Sequence, residues 1–572
     1  MNPKCTGRPS PCKACQNTEA ECIFDETLDL RRKVAAKRTL GELEYYRSLL
    51  KSLLESIRSS TEEKLHHILH TIRNSPSLND VASVIDAPAI DRSDVRSESL
   101  KGISSAEDAI VQQERLSADA HSRIALEKLC DMPLFQVPAK PWTRITVDNH
   151  LVSHLVSLYF TWDHPLSQII DQNMFLEHMN KCDTSSEFCT PLLVNSLLAM
   201  ASAYSDFPEV FATPDDVTSK GKHFYSEAER LWKAEDGQVS LTNIQAVTVM
   251  SCVLKFQAKD HASWLMLRQA VQLSQDFGMF QVPRTGHQEW KKTHINVQYA
   301  GITTAWGIFA LNSQMSLELS KVANLERPRF RLFMREKFDV DVEWAPYPSS
   351  NKTEYAKKPA LLRSVMVQMT ELIEIIVEIQ DLLFDKSLDL GIDDMWTAAN
   401  KLYIRLGSWL ERLPDFLQVD EEQIPQVLFL HIKYHHTIIV LSRFFLRHEK
   451  YGRSSHSSEI GQVRSTQLQS ANQITRCLRV QHASYGLRHI PRQMLEPTND
   501  SALAMLVALE HEEFQESFID SLRFLIAFSK RLPQARDMVR NIEETARELK
   551  ILLPLEASAV LDHRELESSQ WL

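Results

Sequence analysis

Four cysteines near the start of the chain are spaced for chemistry. In MNPKCTGRPSPCKACQNTEAECIFD, Cys5, Cys12, Cys15 and Cys22 stand apart by six, two and six residues, with Pro9-Ser10-Pro11 turning the chain inside the first gap. No apolar signal stretch accompanies them, so the thiols read as a metal site ahead of a disulfide framework. Thiolates are soft, strong zinc ligands, and four of them close a tetrahedral site. The same spacing also suits a free-thiol cluster or a mononuclear zinc knuckle.

Basic residues surround these thiols. Lys4, Arg8 and Lys13 interleave with them, and Arg31, Arg32, Lys33, Lys37 and Arg38 follow, so the first forty residues hold eight Lys or Arg against five Asp or Glu. The whole chain has 64 Lys and Arg against 75 Asp and Glu, a formal charge of −11. A basic end on an acidic body points to a localised nucleic-acid contact rather than a chain that binds nucleic acid throughout. Taken by charge alone, the 31–38 run is a phosphate contact, a nuclear-import signal or a solvated helix face.

Next, Leu43, Tyr46, Leu50, Leu53 and Ile57 recur at spacings of three and four. That is an a/d seam of about two heptads, on the order of 22 Å of helix. A seam this short is marginal alone; it pairs two chains, or it packs an amphipathic helix on its own chain. In EEKLHHILHTIR, His66 and His70 lie one turn apart, a spacing that can hold a metal, but no third ligand stands nearby and they read as exposed helix histidines.

The elements that must position these residues are helical. At 572 residues, two or three folded units are expected. Hydrophobic residues at 43% and charged residues at 24% are ordinary for a globular chain. Only 14 glycines favour helix over strand. No apolar run of about 18 residues suggests a membrane span. Cys130, Cys182, Cys189, Cys252 and Cys477 are scattered and read as buried or neutral thiols in a reducing compartment. Residues 74–118, rich in Ser, Asp and Ala, read as a linker, and Trp142 marks the return of globular sequence.

Helical segments alternate with short loops from there. His150–Thr161 leads into a break expected at Pro165, and Leu192–Ser205 is strongly apolar. Leu241–Gln257 and Ala262–Gly278 read as an antiparallel pair that Gly278 stops. His431, His435 and His436 sit among Leu, Ile, Phe and Tyr and read as core or boundary histidines. Phe518–Leu553 reads as a hairpin broken near Pro533. No G-x4-G-K-[ST], G-x-G-x-x-G, G-x-S-x-G or H-E-x-x-H pattern occurs, so no feature argues for an enzyme.

The cysteine spacing resembles the second half of the fungal zinc binuclear cluster, whose pattern is C-x2-C-x6-C, a proline-containing loop, then C-x2-C-x6-9-C. Cys5, Cys12, Cys15 and Cys22 fit its third to sixth cysteines, and Lys4 fits the lysine before the third. The first two cysteines and the basic helix between them have no counterpart here. A second resemblance, to the helical middle homology region of the same transcription factor family, is carried by YFTWDHPLSQIIDQNMFLEHM, FYSEAERLW, SLTNIQAVTVMSC and WLMLRQAVQLSQDFGMF in the family's order. The family's Arg-Pro pair is kept at Arg327-Pro328, but the preceding helix carries polar Asn312, Ser313 and Gln314. RRKVAAKR, ELEYYRSLL and SLRFLIAFSKRLPQARDMVRNIEETARELKILLP resemble the branch of the nitrogen-assimilation regulator.

The expected architecture is mainly α. A partial zinc cluster spans 1–25, a basic linker and coiled coil 26–73, a flexible linker 74–140, the middle homology domain 141–345, a helical continuation 346–555 and a tail 556–572. The resemblance implies a nuclear regulator of RNA polymerase II transcription that uses zinc, contacts double-stranded DNA, pairs as a homodimer, engages the transcription machinery and has no membrane role. With half a cluster, DNA binding is expected to be weak. The expected reason for the half cluster is a start recorded too late, or a shorter transcript, with C-x2-C and basic residues encoded upstream and the second of those cysteines six residues before Cys5. The alternative is a truncated helical protein that dimerises with full-length relatives and binds no DNA.

Replacing Leu50 with Pro should convert a dimer to a monomer in analytical ultracentrifugation, because the lost helix hydrogen bond and the ring clash cost about 3 kcal/mol. Equal masses for the two proteins would remove the seam from the explanation.

Overall fold

Helices begin where a side chain can accept the free N–H groups of a first turn. Asp148 accepts from His150 N, Asp171 from Met174 N, Thr190 from Leu193 N and Ser240 from Asn243 N. These caps open α1 (Asn149–Leu158), α3 (Gln172–Lys181), α4 (Pro191–Ala201) and α6 (Leu241–Phe256). Between α1 and α3 lie a π turn, Tyr159–Asp163, and the short α2 (His164–Ser167). The computed structural model describes residues 132–562 apart from 215, 281–292, 329, 331–342, 349–356, 386–389 and 448–456. All described residues fall within one unit, Glu127–Leu572.

The break expected at Pro165 comes later. Pro165 sits in α2, inside a helical run continuous from α1 through the π turn, where it supplies no N–H to the ladder, and the helix ends at Gln168 with φ 42°. The π turn before it has a packing role. Its Thr161 carbonyl accepts from Trp344 Nε1 at 3.1 Å, and the Trp162 indole donates to the Tyr347 carbonyl.

Next come α5 (Lys222–Ala234), α7 (Asp260–Asp276) and α8 (Ile295–Glu318). The pair α6–α7 is joined by only three residues, which forces antiparallel packing as the sequence implied. Gly278 closes it at φ +91°, with Gly278 N on Gln275 O and Met279 N on Ser274 O. The helix α8 is buried on nearly every side, through Val297, Ala300, Trp306, Phe309 and Met315 among others, as befits a central helix. Its unexpected polar residues have partners: Asn312 Nδ2 donates to Ala323 O at 2.6 Å, and Ser313 exchanges hydrogen bonds with Gln380. Arg327 meets Glu374 at 2.9 Å and lies over the Trp306 ring.

The strands β1 (Glu343–Trp344) and β2 (Lys358–Pro359), paired antiparallel, are the one sheet among the described residues. Beyond them run α9 (Leu362–Gln380), a second π turn (Asp381–Asp385), α10 (Ile392–Glu411), α11 (Pro425–Arg447), α12 (Ser457–Tyr485), α13 (Leu495–Leu506), α14 (Glu512–Ser529), α15 (Pro533–Glu548) and α16 (Leu555–Asp562). The mainly α expectation thus holds for the described residues. Pro533 opens α15, which places the expected hairpin break; its first helix starts at Glu512, earlier than expected.

The later helices pack on the earlier ones. Gln168 Nε2 donates to Leu362 O, Gln534 Nε2 to Lys255 O, and Arg488 meets Asp206 at 2.9 Å. The segment before Trp142 is docked too: Val137 and Ala139 are buried, and Val137 N donates to Ser153 Oγ. No described helix is long and apolar enough to cross a membrane.

Gly221 shows how tightly the α4–α5 corner is built. Its φ is +71°, and an added Cβ would lie 2.5 Å from the Ala199 carbonyl oxygen. Left-handed strain of about 1–2 kcal/mol and a backbone clash of about 1–3 kcal/mol should both fall on Gly221→Ala. Gly237, at φ +76° with nothing within 4 Å, carries the strain alone. Urea unfolding should therefore show Gly221→Ala clearly less stable than Gly237→Ala.

Candidate functional site

The residues expected to bind metal, DNA or a second chain lie outside the described residues. These are Cys5, Cys12, Cys15 and Cys22; Lys4, Arg8, Lys13, Arg31, Arg32 and Lys33; and Leu43, Tyr46, Leu50, Leu53 and Ile57. His66, His70 and Cys130 lie there too. The remaining cysteines are free: Cys189 and Cys477 are buried, Cys252 is half-buried by surface area and Cys182 is exposed. Burial raises the thiol pKa at Cys189, and at Cys252 and Cys477 raises it to about 12, so these three stay neutral.

The α11 histidines are core residues with protein partners. His431 Nε2 is 2.7 Å from the Leu417 carbonyl, and His435 is pushed down to about 3 by burial and by His431. His436 Nε2 lies 2.9 Å from Asp500. No group of three or more His, Cys, Asp or Glu among the described residues is arranged to hold a metal.

What the helices do bring together is a set of buried charges. Lys255, in the last turn of α6, meets Glu318, the last residue of α8, at 3.0 Å and Asp260 at 2.8 Å. Arg492 Nη2 stands 3.8 Å from Glu318 and 4.0 Å from Glu496, in the first turn of α13. Asp500 takes Arg443 at 2.7 Å as well as His436. Burial opposes the charge on Glu318, but Arg492 and Lys255 outweigh it and hold its pKa down at about 2. Burial, with Glu318 nearby, lifts Glu496 to about 7. Burial also lowers Lys433 to about 8, against the pull of Glu318.

A second knot lies at the first π turn. Burial raises Asp163 to about 6 although Tyr204 Oη donates to it at 3.1 Å. Asp206 goes the other way: burial opposes its charge, but Lys220 at 2.7 Å and Arg488 hold its pKa well below the usual carboxylate range.

A cavity of about 280 Å³ opens from the first cluster, between the end of α8, the second π turn, α11 and α13. Sequence reading missed these residues. The local signal was a single charge inside each apolar run, Lys255 in VMSCVLKF and Glu318 in SQMSLELS; their pairing across helices had no local sign.

Residues 156–321 match the fungal specific transcription factor domain, from α1 to just past α8, so the resemblance to the middle homology region expected from the sequence is borne out. Over 97% of its length it is 27% identical to 89% of the notoamide biosynthesis transcriptional activator notL' of Aspergillus versicolor. It is 26% identical to the nitrogen assimilation transcription factor nit-4 of Neurospora crassa, and 24% identical to nirA of Emericella nidulans. The chain spans 55% of nit-4 and 67% of nirA. The family and these relatives are regulators of transcription rather than enzymes.

Glu496→Gln should stabilise the protein more at pH 8 than at pH 5. The folded pKa of about 7 exceeds the ordinary 4.5, so the carboxyl's contribution is full below 4.5 and is lost as pH rises through 7. Gln carries no such loss, and Glu318, Asp500, Arg492 and Lys255 are common to both proteins. Urea unfolding at the two pH values checks the difference.

Proposed function

We propose that this chain is a nuclear regulator of fungal RNA polymerase II transcription that contacts double-stranded DNA and pairs as a homodimer. The observation that carries the reading is the fungal specific transcription factor domain match at 156–321, inside similarity to one named transcriptional activator and two named transcription factors along almost the whole chain. The N-terminal composition supports the DNA part, with Lys4, Arg8, Lys13, Arg31, Arg32 and Lys33 able to meet phosphates. Such contacts position a protein on the duplex without specifying sequence. The Leu43–Ile57 seam supports pairing, and the transcription machinery is the partner for the helical body.

The donor set at Cys5, Cys12, Cys15 and Cys22 fits zinc, since four thiolates satisfy its tetrahedral preference. The metal would supply structure, holding the proline-turned loop and its basic residues in one shape. Four thiols support at most one zinc per chain. Metal analysis of the purified protein should find no more than that, and two tightly held zincs would contradict it.

Fluorescence anisotropy on duplex DNA tests the function. Affinity should be weak, indifferent to sequence and fall with salt by about 0.9 log units per log unit for each phosphate neutralised. Replacing Arg31, Arg32 and Lys33 with Gln should flatten that slope by about 0.9 for each phosphate no longer neutralised. No binding at low salt would sink the DNA part of the reading.

A further inference from the structure

A second cavity, of about 580 Å³, lies between α10, α11 and α12, beyond the family-matched segment. It falls inside the range of about 300–1,000 Å³ that takes drug-sized ligands. Trp396 and Tyr403 of α10, Leu441 and Phe445 of α11 and Val463 of α12 make its walls mainly aromatic and apolar. Leu441 and Phe445 are buried, so α11 forms the floor. Tyr403 is 40% exposed and Trp396 half-buried, so ring surface remains uncovered on the α10 side.

The polar groups are sorted by depth. The charged lining residues, Asp393 and Lys401, are of opposite sign, and both are exposed at the mouth. Thr397, Asn400 and Gln462 are exposed there too, and Thr466 is half-buried. No charged lining residue stands at the floor to offset the desolvation of an ionised ligand, so the occupant is neutral. What the floor does carry is Ser442. It is only 6% exposed, and its hydroxyl makes no hydrogen bond among the described residues. A helix hydroxyl can donate to the carbonyl four residues back, as Thr437 does to Lys433 O at 2.8 Å in the same helix. Buried polar groups are paired in nearly all cases. A buried hydroxyl without a protein partner, on the floor of an aromatic cavity, calls for a polar atom from an occupant.

We propose that this cavity binds a small, neutral, planar aromatic compound carrying a hydroxyl or carbonyl oxygen. The oxygen exchanges a hydrogen bond with Ser442 Oγ, and the rings lie against Trp396, Tyr403 and Phe445. Flat rings suit these walls because aromatic pairs are favoured beyond the area they bury. The occupant touches all three helices, so binding should raise the unfolding temperature of the chain. The inference goes beyond the transcription reading and does not rest on it.

Isothermal titration of the full chain with 2-naphthol tests the proposal. The wild type should bind it with a dissociation constant below about 1 mM. Naphthalene-2-carboxylate, an anion at neutral pH, and decahydro-2-naphthol, which is not flat, should each bind at least about tenfold more weakly. Ser442→Ala should weaken 2-naphthol by about threefold to tenfold. Val463→Trp, which fills the cavity from the α12 side, should abolish binding while circular dichroism shows the helices intact; if that variant does not fold, Ser442→Ala still decides. No binding to the wild type in that range, equal affinity for the anion or the decahydro alcohol, or unchanged affinity in Ser442→Ala would overturn it. No DNA enters this measurement, so its failure leaves the transcription reading standing, and failure of the DNA assay leaves this one standing.

Discussion

Glu318 ends a long buried helix with its carboxylate in the protein interior, where the helix dipole already presents negative charge. Two unfavourable terms meet at that atom group, desolvation and the dipole, and the fold resolves both by bringing cations from elsewhere. Lys255 comes from the end of α6 and Arg492 from the turn before α13. The central helix therefore cannot settle alone; its end requires an earlier helix and a much later one to be in place. A buried ion group of this kind adds little net stability over apolar packing, but removing one member costs about 3–5 kcal/mol, because an unpaired charge stays behind.

The same logic recurs at the first π turn. Asp206 is held by Lys220 from the start of the α5 region and by Arg488 from beyond α12, and Arg531 Nη1 donates to the Arg488 carbonyl. Trp162 and Trp344 then tie the π turn to the small sheet. The Asp206–Arg488 pair spans 282 residues, and the two indole hydrogen bonds span 185 and 183, so the family-matched segment and the helices after it share one interior. The first turn of α13 reaches the end of α8 through Glu496, Arg492 and Glu318.

Glu496 shows what such a network leaves open. The first turn of α13 favours its negative charge through the dipole, whereas burial and Glu318 oppose it. It is a carboxyl raised to about 7 beside a cavity.

Much of this was legible in the residues themselves. Scarce glycine and three-and-four apolar spacing dictated helices, because those preferences act within one turn. Gly278 and Pro533 marked ends for equally local reasons, as a residue able to take positive φ and a residue without an N–H. The neighbours of His431, His435 and His436 in sequence foretold core positions, since a helix among apolar residues is buried on most sides. The residues expected to hold zinc, meet DNA and pair two chains, read from spacing, charge and the family resemblance, lie outside the described residues. What the tertiary structure alone decided is which charges meet. Lys255, Glu318, Arg492 and Glu496 are ordinary residues in sequence, and long-range packing supplies the desolvation and partners that separate a carboxyl held at about 2 from one raised to about 7. Those terms depend on distance in space, which no local pattern encodes.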